Sequence, residues 1–289
     1  MRILRSRRFH PCLPFAPDPS PASPRTAPVA RESRTPGGPL HDNVAMPTRN
    51  QLDLSTFDDQ LLDGLDFCRK VYDLLDQARG APDGIAKIRL RPTKAEKRLM
   101  EELIPIARYV QERYRLGRRI KVRWLSGSQS YDAILWSSGE LVNRRMAPRR
   151  LLVEVTTAVH QNEHLARRLL HERGGSFGVK GISRDKKTGD IVSKPYVHTG
   201  GERATDLADQ ILERLKSKSG KNYPPGTVLI INCVPNGLIL DPEWTDAIEQ
   251  VTKAQAHLTF REAFLYESIM CHSATLYGDR KRRRRRNPK

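Results

Sequence analysis

Residues 149–174 read RRLLVEVTTAVHQNEHLARRLLHERG, and this stretch limits the possible folds more than any other. Leu151, Leu152, Val153 and Val155 form an apolar run rich in β-branching, which predicts a strand. From Asn162 the period turns helical. Leu165, Leu169 and Leu170 are apolar, Arg167, Arg168 and Arg173 are polar, and Gly174 is a natural stop. A strand that gives way to an amphipathic helix within a few residues belongs to an α/β architecture. One charge, Glu154, stands inside the strand. Alternation puts Glu154 and Thr156 on one face and Val153 and Val155 on the other. A carboxylate there is costly unless it is paired or metal-bound, so the context of Glu154 becomes the question.

The flanking sequence supplies the other elements. Apolar residues from Phe57 to Leu75 recur at helical spacing and predict a helix over 56–79, broken by the turn-forming GAPDG at 80–84. Thr93-Lys94-Ala95-Glu96 is a capping box that opens a second helix to Tyr114, with a kink at Pro105. Strands are expected at 119–125, 131–136 and 150–157, separated by Ser126-Gly127-Ser128 and Ser137-Ser138-Gly139. Links this short imply an antiparallel meander. After the helix at 162–173, the polar, glycine-rich 174–201 reads as a surface loop or small hairpin and lacks the Walker A spacing. A helix at 202–217, a buried strand at 227–233 (TVLIINC), a helix at 243–257 and a strand, in preference to a helix, at 261–270 complete the chain. The expected fold is α/β, a mixed sheet with an antiparallel three-strand meander flanked by helices, in one domain over 50–279.

The net charge is +18, of which residues 280–289 (RKRRRRRNPK) carry +8 and residues 1–45 carry +4. Residues 1–45 are rich in Pro, Arg and Ser without an apolar period and read as disordered; Met46 is an alternative start. The basic tail, Arg282, Arg283, Arg284, Arg285 and Arg286 above all, suits the phosphate backbone of a nucleic acid, or is a solubilising end. Cys12, Cys68, Cys233 and Cys271 form no CxxC pair, which argues against a zinc ribbon and for a reducing, cytoplasmic setting. No apolar run approaches the ~20 residues of a membrane span.

Two constellations carry chemistry. If the second and third strands are neighbours, Asp132 and Glu154 face one edge of the sheet and can share Mg²⁺ or Mn²⁺, which lowers the pKa of water and stabilises a phosphodiester transition state. The alternative is that Glu154 pairs with an internal Arg or Lys and Asp132 caps a turn. The second is HQNEH at 160–164, which matches the inverted zinc-peptidase motif H-x-x-E-H; in a zinc metallopeptidase His160 and His164 would hold zinc, Glu163 would act as base and Glu243 or Glu249 would be the third ligand. It reads equally as a polar helix edge, or as His164 and Glu163 supporting the Asp132 site. Trp124, Trp136 and Tyr131 are candidates for base stacking or for core packing.

Over residues 95–235, the order helix, three strands, helix, further helix, strand, with an acidic residue on one strand and E-x-T on the next, resembles the PD-(D/E)XK, or restriction-endonuclease-like, nuclease superfamily. The EVTTA run followed by NEHL is also similar to uncharacterised bacterial proteins of that fold. The resemblance implies metal-dependent phosphodiester hydrolysis on nucleic acid. Asp132 matches the motif aspartate, Glu154 the acidic member of the triplet and Thr156 its last position, with Glu101 or Glu102 as the glutamate some members carry on the first helix. Tyr131 stands where proline is usual and Thr156 where lysine is expected. Lys180 is a candidate replacement for that lysine. The second expectation is a nucleic-acid-binding protein of the same fold without catalysis.

Overall fold

The computed structural model describes residues 3–5, 52–235, 237–255 and 258–278. The Pro/Arg-rich segment from residue 6 onward and the tail with Arg282–Arg286 lie outside the described residues.

The meander forms as the short turns require. β3 (Arg119–Trp124), β4 (Ala133–Ser138) and β5 (Arg150–Val159) pair antiparallel in sequence, with Val122 opposite Leu135 and Ala133 opposite Val153. They make up less than half of the sheet. β8 (Val228–Val234) lies parallel to β5 on its other side, β9 (Glu262–Glu267) parallel to β8, and β10 (Ser273–Tyr277) antiparallel to β9. With β2 (Leu61–Asp63) against β3, these seven strands form an open mixed sheet, and β1 (Ile3–Arg5) extends it at the β10 edge. The sheet is therefore wider than the expected meander, and the first few residues contribute a strand where sequence reads none.

Helices cover both faces. On one face lie α1 (Gly64–Gly80) and the α3 (Lys94–Arg98), π-turn (Leu99–Leu103) and α4 (Ile104–Arg113) run. Phe67, Val71, Leu103, Ile106 and Val110 pack there on Val122, Leu135, Val153, Val155 and Ile230. On the opposite face lie α7 (Glu202–Ser219) and α8 (Asp241–Ala254), where Leu207, Ile211, Trp244 and Ile248 pack on Ala158, Leu229, Ile231 and Leu265. β8 is buried on both faces, so it reads as a continuous apolar run. No helix among the described residues is long and apolar enough to cross a membrane.

Several boundaries differ from the sequence expectation for local reasons. The first helix starts at Gly64, not near 56, because Asp63 caps it by accepting the Leu65 N–H at 2.9 Å, and Leu61–Asp63 pair with β3 instead. Gly64 is needed there, since a Cβ would lie 2.8 Å from the Ile120 carbonyl oxygen. The helix from Thr93 has its capping box, but it widens instead of simply kinking. Ile104 N–H reaches back five residues to Leu99 O just before Pro105, whose ring would crowd the Glu101 carbonyl. Short helices α2 (Gly84–Leu90) and α5 (Glu140–Asn143) were not anticipated, nor was β10. The helix α6 (Glu163–Arg173) lies over a hairpin of β6 (Ile182–Arg184) and β7 (Ile191–Ser193), burying Leu165 and Leu169 with Val179, Ile182 and Ile191.

Candidate functional site

β4 ends one residue short of the middle of β5. Ala133 is opposite Val153, the Asp132 N–H donates to Val153 O at 2.8 Å, and continuing that register puts Asp132 opposite Glu154. Directly opposed residues of an antiparallel pair share a face, with Cβ atoms about 5 Å apart. The next ladder bond is not made to backbone. The Val155 N–H donates instead to Asp132 Oδ2 at 2.7 Å, so this carboxylate closes the ladder where β4 leaves it.

Glu154 is 9% exposed and has two partners from the C-terminal end of α7 and beyond. Lys218 Nζ and the Tyr223 hydroxyl both donate to its Oε1, the latter at 3.1 Å. Burial, followed by the neighbouring Glu154 charge, pushes the Asp132 carboxyl up to about 7. Burial and then Glu154 also raise the Tyr223 phenol, so it stays a hydrogen-bond donor. Two carboxylates against one ammonium leave a site that disfavours its second negative charge, and a divalent cation would relieve that repulsion. The donor set, one carboxylate just before β4 and one in the middle of β5, is of the oxygen type that a hard cation takes.

The other predicted residues fall in different places. Glu102 accepts the Trp124 indole N–H at 3.0 Å, and its charge also raises Asp132. Burial in turn raises Glu102 itself. Glu101, its neighbour in sequence, turns away to Arg91 at 2.9 Å. Thr156 lies two residues beyond Glu154 on the same face, partly exposed, opposite Ile231 of β8. Trp124 is 1% exposed and belongs to the core, with Arg98 over its ring. Lys180 is not at this site. It lies by the N-terminal end of α7, bonded to Glu202 at 2.6 Å and Asp206 at 2.8 Å. Lys218 is the lysine the fold delivers to Glu154.

No family model, curated protein or solved structure matches this chain.

The HQNEH stretch does not assemble a zinc centre. His160 lies in the turn after β5, where its Nδ1 accepts the Asn162 N–H at 3.1 Å. His164 is exposed, with its Nδ1 2.9 Å from Gln161 O, and Glu163 pairs with Arg167 at 3.4 Å. Helix α6 starts only at Glu163, so the two histidines do not share a helical face. Of the proposed third ligands, Glu243 is paired with Arg203 at 2.6 Å and Glu249 lies farther along α8, 3.9 Å from Lys253. Nor do Glu163 and His164 support the Asp132 site, since their contacts are with Arg167 and Gln161.

Among the described residues, one set of three His, Cys, Asp or Glu side chains brings its ligand atoms within 4.8 Å: His198, Glu202 and Asp206. Its two carboxylates already share a cation, the Lys180 ammonium. Burial works against that charge, but the hydrogen bonds to Asp206 and Glu202 outweigh it and hold Lys180 well above its ordinary pKa. Lys180 and then Tyr196 hold Glu202 down to about 2. This cluster fastens the segment before α7 to the helix.

Proposed function

We propose that the chain is a metal-dependent phosphodiesterase acting on nucleic acid, with Asp132 and Glu154 as the Mg²⁺ or Mn²⁺ ligands and Lys218 in place of the lysine absent at Thr156. The observation that carries this reading is the convergence of Asp132 (just before β4), Glu154 (β5) and Lys218 (α7). The arrangement of one helix, three antiparallel strands, a further helix and a fourth strand parallel to the third supports the resemblance to restriction-endonuclease-like folds. The bound cation would lower the pKa of a water molecule and screen the phosphate charge. Asp132, fixed by the Val155 N–H, and Glu154, whose rotamer Lys218 and Tyr223 fix, would hold the cation. Lys218 also places a positive charge and N–H donors beside the position of an attacked phosphate. The positive balance of the chain favours a polyanionic substrate.

A second reading has a specific observation behind it: the same fold as a nucleic-acid-binding protein without catalysis. Both carboxylates already have partners, Asp132 the Val155 N–H and Glu154 the Lys218 ammonium. The deciding experiment incubates plasmid, linear duplex, single-stranded DNA and RNA with the protein and Mg²⁺ or Mn²⁺, beside Asp132→Ala, Glu154→Ala and Lys218→Ala. EDTA-sensitive cleavage absent from all three variants supports the hydrolase. Binding that falls with salt, without cleavage, supports the second reading.

A further inference from the structure

The face of the sheet that holds Glu154 is covered only in part. Along β5, Arg150, Leu152, Glu154 and Thr156 alternate onto that face. Helices α7 and α8 pack there, but the core beneath them takes no residue from β3 or β4. Helices α1 and α4 lie on the opposite face, against Ile120, Val122 and Leu135. From β3 to the start of β5, the Glu154 face is therefore bare of packed helix among the described residues.

Strand register shows what stands on it. Lys121 of β3 is opposite Trp136 of β4, and Trp136 is opposite Arg150 of β5. Directly paired residues share a face, so these three side chains form one row across the strands. Arg119 stands two residues before Lys121 on the same face. Arg119, Lys121 and Arg150 are exposed and Trp136 is partly exposed. None of the three cations has an ion pair or a side-chain hydrogen bond among the described residues. The acids at this edge are engaged elsewhere. Asp59 pairs with Arg123 at 2.5 Å, and Asp63, across from Lys121, accepts the Leu65 N–H.

We infer that this bare face is a docking surface for single-stranded nucleic acid, on which Trp136 stacks a base and Lys121 and Arg150 take the phosphates to either side. The inference rests on the nucleic-acid partner of the proposed function, though not on catalysis. Three observations favour this occupant. The unpaired cations complement a polyanion. The indole between them offers a π-face, which any base can use and which a duplex, with its bases already stacked, cannot reach. The surface is also continuous with the candidate centre: Arg150 and Glu154 share a face and lie about 13 Å apart along β5 at the strand rise. A strand held on this row therefore runs toward Asp132 and Glu154.

The test uses the full chain in EDTA, so that neither cation binding nor cleavage enters. Fluorescence anisotropy follows a labelled single strand of about 12 nucleotides and the duplex of the same sequence. Trp136→Ala is expected to weaken single-strand binding by about tenfold and to leave duplex binding unchanged. Lys121→Gln and Arg150→Gln are each expected to lower the slope of log affinity against log salt by about 0.7 for the single strand, and they remain informative if Trp136→Ala folds poorly. Lys187→Gln, in the exposed β6–β7 turn, is expected to change nothing. Trp124 and Trp244 are 1% and 6% exposed, so quenching of tryptophan emission by the single strand should vanish in Trp136→Ala. Unchanged single-strand affinity in all three variants overturns the surface while leaving the nucleic-acid reading in place. Equal losses for single strand and duplex in Trp136→Ala overturn the stacking and with it the single-strand assignment. Absence of any oligonucleotide binding by the wild type overturns the surface and the proposed function together.

Discussion

Replacing Asp132 by Asn should make the protein more stable at pH 8 and leave it nearly unchanged at pH 4.5. The carboxyl titrates near 7 in the fold against 3.8 unfolded. Between these values the folded state keeps a proton that the unfolded chain releases, so stability falls as pH rises from about 4 to 7 and then levels off. At about 1.4 kcal/mol per tenfold difference in proton affinity, the full penalty is about 4 kcal/mol. Asn keeps an oxygen for the Val155 N–H and offers Glu154 a donor, so the cap survives while the repulsion goes. Urea unfolding of both proteins at pH 4.5, 6, 7 and 8, without divalent cations, measures the effect. Subtracting the two curves cancels every other titrating group. With an m-value of about 2 kcal/mol/M, a gap of 2–4 kcal/mol moves the midpoint by about 1–2 M. Adding Mg²⁺ at pH 8 should stabilise the wild type and not the variant, narrowing the gap. A midpoint difference that is the same at pH 4.5 and pH 8 would refute the argument that burial and Glu154 hold Asp132 protonated.

Three further outcomes follow from named contacts. Lys218→Met leaves Glu154 without its cation beside Asp132 and should cost about 3 kcal/mol at pH 8 in urea unfolding, part of it recovered with Mg²⁺. Arg113 donates to Glu262 and Thr275, and Tyr109 donates to the same carboxylate, joining α4 to β9 and β10. Arg113→Met should also cost about 3 kcal/mol, with no sensitivity to divalent cations, by the same assay. Lys180→Ala removes the cation shared by Glu202 and Asp206, and hydrogen exchange over Ile182–Ser193 should accelerate by about tenfold while the global midpoint moves little.

What could be read from the sequence was what periodicity records. Helix α7 and strand β8 lie within a few residues of their expected bounds, and the short links around 126 and 137 were enough to set Asp132 beside Glu154. Local capping and edge pairing were hidden. Leu61 and Leu62 continue the apolar period of α1, yet Asp63 ends the helix and gives them to β3. Strand β10 follows its partner too closely for the pattern to separate them. The lysine was the main omission at the site. Lys180, the candidate named from sequence, belongs to the Glu202 and Asp206 cluster, whereas Lys218 is 64 residues from Glu154 and becomes its neighbour only when α7 packs across β5. One signal for it exists. Ile211, Leu215 and Lys218 fall at i, i+4 and i+7, so Lys218 continues the buried stripe of α7 and could be expected to find an acid underneath.

The π-turn at Leu99–Leu103 also limits how the length of this chain can vary. It holds one residue more than an α-helical turn would. Deleting one residue between 99 and 103 would restore a regular α-helical turn and leave Lys94–Arg98 in phase with Ile104–Arg113, because the wide turn alone absorbs the extra residue, so Arg98 would keep the Trp124 ring and the Ser126 carbonyl it bonds. A residue added or removed in the regular helix on either side would instead turn one segment against the other by about 100°. The deletion would cost the divergence of Glu101 and Glu102 toward Arg91 and Trp124. Single-residue length changes should therefore be tolerated in the 174–201 hairpin and, within this helix, only at the π-turn.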